Sequence, residues 1–221
     1  MFRLVPLIKA AGNRLRFAIG VAPLSQQWGD RGQPLGRDYV EEFLQQFSRD
    51  IRGHCLEFQE NTYTSRFGRD AVTKLDILHK EPGNPNATIV TDLTQPNTIP
   101  SNEFDCIICT YTLHVVFDFY KMISELHRIL KEEGVLLVAV PHIALCYPQQ
   151  HELWRFTPEG LEALLVRVFG VGNVTIKGYG NSLTSAGNLR GLVAREFSRD
   201  ELGHHDLRFA IVVMGRAVKT T

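Results

Sequence analysis

The chain has 221 residues, with 24 Lys+Arg balanced by 24 Asp+Glu and a formal net charge of zero. A chain of this length buries roughly 70% of its unfolded surface, so its core needs neither metal nor disulfide to hold it. The charge balance excludes a dedicated nucleic-acid surface, which carries a basic excess, and no run approaches the ~20 apolar residues of a membrane-spanning helix.

Residues 1–36 read as an N-terminal arm and lid-like segment, and residues 37–221 as the main domain. Arg3, Lys9, Arg14 and Arg16 precede the first acid, Asp30, while Leu4, Leu7, Ile8, Ala11, Leu15 and Ala18 recur at helical spacing. Such an arm fits a helix on the domain, a membrane-surface helix or a targeting segment. Glycines and charges in WGDRGQPLGRD read as loop, with Arg31, Arg37 and Tyr39 as lid residues. Asp38 is expected to cap a helix over residues 39–51, whose Val40, Phe43, Leu44 and Phe47 share a face.

Four strands are expected next, at His54–Phe58, Val72–Asp76, Ala87–Leu93 and Phe104–Tyr111. Cys106 and Cys109 form a C-x-x-C, but three residues apart on a strand they face opposite sides and cannot share a metal. Buried, reduced cysteines and a cytoplasmic location follow. An amphipathic helix over Phe117–Lys131 is expected to stop at Gly134, before the aliphatic strand Val135–Pro141. Thr157-Pro158 announces another helix, running to Phe169. Two late strands, Val174–Gly180 and Phe209–Val218, flank a helix over Ser182–Ser198 and a capping box at Ser198–Glu201.

Alternating strands and helices give an α/β fold: a Rossmann-like, mostly parallel seven-stranded sheet, helices on both faces and an antiparallel last strand. In such sheets the ligand lies beyond the carboxyl ends of the strands, where strand order reverses. Those ends carry Glu57, Asp76, Asp92 and the Thr110–Tyr111 pair. Asp76 suits the hydroxyls of a ribose, because a carboxylate accepts two hydrogen bonds from a vicinal diol, and Asp92 suits an adenine amino group. The turn after Glu57 has no glycine before Gly68, which speaks against a pyrophosphate dinucleotide and hence against a nicotinamide oxidoreductase.

The order LEF, LD at Asp76, TDL at Asp92, FDCIICTYTLH and ELHRILKEEGVLLVAVP resembles class I methyltransferases of the type-11 group. PLSQQWGDRGQPLGRDYVEEFL, TYTSRFG, GNPNATIVTDL and LWRFTPEGL are similar to methyltransferase units beside or fused to glycosyltransferases. The resemblance spans Pro23 to Lys219 and implies S-adenosylmethionine as cofactor, with Glu57, Asp76 and Asp92 as contacts. It also implies that Phe58, Gln59, Ile77, Leu93 and Thr110 line the pocket, with Tyr63 over the methionine end. LKEEG replaces the family's LKPGG, and Gln59 stands where the subgroup's L-E-I-G-D has glycine.

The expected reaction is O-methylation of a small-molecule or carbohydrate acceptor, with a glycosyltransferase as partner and no metal. His114, just past the fourth strand, is the foremost general base, ahead of His142 and His151; its alternative role is to cap the following helix. Trp154 would stack a sugar face and Arg155 bind hydroxyls or a carboxylate, or both anchor their loop. The competing reading is a weakened methyltransferase-like binding or scaffold protein.

Overall fold

The computed structural model describes residue 12, residues 20–25 and residues 29–220, so nearly all of the basic arm lies outside the described residues. Seven strands form one sheet: β1 (Gly53–Phe58), β2 (Val72–His79), β3 (Ile89–Val90), β4 (Phe104–Thr110), β5 (Leu130–Pro141), β6 (Val174–Tyr179) and β7 (Val212–Val218). Their order is β3-β2-β1-β4-β5-β7-β6. The first five run parallel, and β7 is antiparallel to both of its neighbours. Strand order reverses between β1 and β4, which opens a crevice at their carboxyl ends.

The side-chain period of two along each strand divides the core into two layers. Leu56, Ile107, Cys109, Leu136 and Val138 pack with α2 (Phe119–Ile129) and α3 (Pro158–Phe169) on one face. Cys55, Cys106, Ile108, Leu137 and Ala139 pack with α1 (Leu35–Gln46) on the other. Cys106 and Cys109 therefore lie in different layers, as their spacing requires. Burying each such aliphatic side chain contributes about 1.5–3 kcal/mol, which is why the apolar run in β5 sits at the sheet's centre.

Several boundaries move. α1 begins at Leu35 after Pro34, so Asp38 sits in its first turn, where a carboxylate complements the helix dipole, and does not cap it. β2 continues three residues past Asp76, because Ile77 and Leu78 still pair with Glu57 and Phe58. β3 has two residues, and Asp92 lies beyond its end. α2 stops at Ile129: Leu130 turns extended and pairs with Phe104, placing Gly134 inside β5. The long helix expected after Ser182 ends at Leu189 as α4 (Ser182–Leu189), and α5 (Arg199–Gly203) follows. Gly191 explains the break: its φ is +80°, and a Cβ there would come within 2.7 Å of the Ser25 amide nitrogen. Thr157 and Ser198 cap as read, each accepting from the amide three residues on.

Candidate functional site

The crevice between β1 and β4 is a cleft of about 680 Å3, inside the roughly 300–1,000 Å3 typical of small-ligand sites. Its floor is the turn after β1. Glu57 ends that strand almost fully buried, and its carboxylate accepts from the Tyr63 amide at 3.0 Å and the Thr64 amide at 2.7 Å. Burial pushes its pKa up, and those two hydrogen bonds oppose the rise. A single π turn, Thr64–Gly68, starts on this carboxylate in place of a full crossover helix.

Gln59 takes φ +73°, the conformation for which glycine is suited. Its amide donates to the Leu78 carbonyl at 3.0 Å, and its carbonyl accepts from Asn84 Nδ2 at 2.6 Å. The turn thus keeps the backbone of a glycine turn while carrying a side chain.

From the other side of the crevice, β4 delivers Thr110 and then Tyr111, itself at φ +47°. Burial pushes the Tyr111 hydroxyl pKa up, with Tyr63 adding to the rise and Arg37 opposing it. Arg37 reaches in from α1 and donates to Tyr63 Oη at 3.3 Å. A 3-10 turn, Leu113–Val115, carries His114 onto the wall, 3% exposed. Its carbonyl accepts from the Leu153 and Trp154 amides at 2.8 and 3.0 Å, which draws residue 152 to the same wall. His114 Nε2 lies 3.8 Å from Glu152 Oε1, and Nδ1 is buried with no partner among the described residues. Burial lowers the His114 pKa to about 4, partly offset by Glu152, so the ring is neutral near pH 7.

The wall therefore brings together Glu57, Phe58, Gln59, Tyr63, Thr110 and His114, all singled out from sequence. Other expected residues are elsewhere. Asp76, inside β2, binds His54 Nε2 at 2.6 Å, Thr88 Oγ1 at 2.7 Å and Lys74 Nζ at 3.4 Å. Burial alone would raise its pKa, but these donors hold it below the usual range. Asp92 likewise accepts from the Thr94 amide and hydroxyl and faces Lys80. Ile77 and Leu93 are buried off the wall, Leu93 in the core beside Phe58.

Trp154 and Arg155, expected either to meet substrate or to anchor their loop, are off this wall and make loop contacts. Trp154 Nε1 donates to the Val116 carbonyl at 3.0 Å and its ring meets Phe119 edge to face at 5.3 Å. Arg155 is bound to Glu152 and to the Leu145 carbonyl. His142 and His151 do not line the cleft, and Tyr39 is fully buried on the inner face of α1, away from the cleft lining.

Tyr111, expected beside Thr110 at the end of the fourth strand, also lies on the wall, and residues not singled out from sequence complete it: Asp30, Glu60, Tyr147 and Glu152. No sequence spacing marks them, because they reach the cleft from three separate loops. The segment carrying Asp30 is fastened by an Arg31–Glu196 ion pair of 2.6 Å and a Pro34–Val193 bridge. A guanidinium, carboxylates, hydroxyls and aromatic faces form a donor set that fits a ligand bearing a carboxylate, a cation and hydroxyls.

Fold and site together define a class I, S-adenosylmethionine-dependent methyltransferase. The family profile for a methyltransferase domain matches residues 18–138, more than half of the chain, and the protein belongs to that type-11 family. No curated protein sequence matches it. Among solved structures, it is similar to a SAM-dependent methyltransferase from Archaeoglobus fulgidus, at 12% identity and TM-score 0.57, covering 86% of this chain and 96% of that one. N-methyltransferase NodS from Bradyrhizobium japonicum, in complex with S-adenosylhomocysteine, is similar at 12% identity and TM-score 0.57 over 98% and 99% of the two chains. A Haemonchus contortus phosphoethanolamine N-methyltransferase aligns at 16% identity and TM-score 0.54, over 86% of this chain and 54% of that one. Among the described residues no helix is long and apolar enough to cross a membrane.

Proposed function

We propose that the protein transfers a methyl group from S-adenosylmethionine to a hydroxyl of a small-molecule or carbohydrate acceptor. The observation that carries this reading is one cleft holding both the β1 turn and the buried His114–Glu152 pair. Bound there, the cofactor supplies an already activated methyl group. The protein's task is then alignment, which provides on the order of 7–11 kcal/mol in the best model systems. In this reading Glu57 shapes the turn, Phe58, Gln59 and Thr110 flank the adenosyl half, and Tyr63 with Arg37 receives the methionine end. With Asp76 committed to His54, Glu60 is the carboxylate placed to accept from ribose hydroxyls. Residues 29–36 serve as a lid, and a cytoplasmic glycosyltransferase complex is the proposed setting.

A second reading, a binding or scaffold protein with a weakened cofactor turn, is favoured by Gln59 in the left-handed region. Titration calorimetry with S-adenosylmethionine and S-adenosylhomocysteine separates the two. Saturable one-to-one binding of both supports the enzyme, and no heat at millimolar ligand supports the scaffold.

A further inference from the structure

His114 and Glu152 are among the most buried polar groups on the cleft wall, with side chains 4% and 6% exposed. One Glu152 oxygen is taken by Arg155, and the other, Oε1, stands 3.8 Å from His114 Nε2. That gap is too long for a direct hydrogen bond. Nδ1 has no partner among the described residues, and an orphaned buried N–H is rarer and costlier than an orphaned lone pair. The ring proton therefore belongs on Nε2, so a donor N–H and an acceptor carboxylate oxygen flank one gap. A carbonyl or carboxylate filling it would leave Oε1 without a donor, and an ammonium would leave Nε2–H without an acceptor. A hydroxyl satisfies both through a single atom.

Resting on the methyltransferase reading of this cleft, we propose that His114 and Glu152 form the seat of the acceptor hydroxyl, and that Glu152, not His114, takes its proton. The hydroxyl oxygen accepts from Nε2–H and donates to Oε1. As the oxygen gains the methyl group, its proton passes to the Glu152 carboxylate. The new O–C bond replaces the S–C bond, whose electron pair stays on sulfur, leaving a methyl ether, S-adenosylhomocysteine and a neutral Glu152. His114 acts as a positioning donor. Its lowered pKa agrees with that role, because a ring that protonates only near pH 4 is a poor base at neutrality. Tyr111, edge-on to His114 at 6.3 Å, Arg155, and Tyr147, whose hydroxyl feels the Glu152 charge, are polar neighbours of the pair.

Nitrogen-15 NMR of the histidine-labelled protein saturated with S-adenosylhomocysteine tests this seat. The expected result is the Nε2–H tautomer of His114; an Nδ1–H tautomer overturns the proposal without recourse to any variant. In Glu152→Gln the His114 protonation midpoint should fall, since the carboxylate favouring the imidazolium is gone, and Glu152→Asp should restore it; an unchanged midpoint overturns the proposal. With phenols, hexoses and 2-hydroxy acids as probe acceptors, Glu152→Gln should lose about a hundredfold or more in kcat while cofactor affinity stays within about twofold. Equal turnover by the variant overturns it. Failure of the wild-type protein to bind S-adenosylhomocysteine by calorimetry would instead strike the underlying methyltransferase reading.

Discussion

The phenolic oxygen of Tyr111, at the end of β4, occupies the space in which residue 36 of α1 would carry a Cβ. Gly36 is therefore, with Arg37, where the helix before the sheet touches the crevice, and it lets a tyrosine in a left-handed conformation project there. Gly36→Ala should cost about 1–3 kcal/mol through overpacking, read by urea denaturation. Tyr111→Phe removes the clashing oxygen, so the alanine should cost less in that background. Additive effects in the double-mutant cycle would show that the two residues do not meet.

Stability should fall on acidification through the His114 range. Its folded pKa of about 4 lies below the ordinary value of 6.5, so between those pH values the unfolded chain binds a proton that the native protein does not. The loss is about 1.4 kcal/mol per pH unit while that difference is complete. His127 and His142 are lowered too, again by burial, and add to the slope. Denaturation midpoints at pH 4.5 and 7 should differ less in His114→Gln than in the wild-type protein.

Gln59→Gly should stabilise the first turn. The left-handed conformation costs a side-chain-bearing residue roughly 1–2 kcal/mol, of which about 0.5–1 returns as extra chain entropy of glycine. A small rise in melting temperature with unchanged or tighter cofactor binding is the expected outcome. A fall would mean that the Gln59 side chain holds the turn.

Asp76→Asn should lower stability by about 1–3 kcal/mol, because His54, Lys74 and Thr88 lose a charged partner. Cofactor affinity, measured by calorimetry, should stay within about twofold. A tenfold loss of affinity at unchanged stability would return Asp76 to the cofactor site.

The layered sheet was legible because burial writes itself as period: the aliphatic run of β5 and the capped start of α3 need no tertiary context. Strand ends were less legible. Asp76 reads as a terminus because a charge interrupts apolar residues, yet His54 on the neighbouring strand neutralises that interruption and lets β2 run on to His79. Glu57, Gln59, Thr110 and His114 share one wall because they lie at the ends of strands that point at one crevice. Trp154 is ambiguous in sequence, because an aromatic near a cleft mouth looks the same whether it stacks a ligand or Phe119. Glu152 left no mark: only the two amides folded onto the His114 carbonyl bring it to the wall.

A crystal structure of the protein grown with S-adenosylhomocysteine tests the central claim most directly. The ligand is expected in the β1–β4 crevice, against Phe58, Gln59, Tyr63 and Thr110, with its carboxylate toward Arg37. Ligand bound at any other surface, or an empty crevice at saturating ligand, would contradict the central claim.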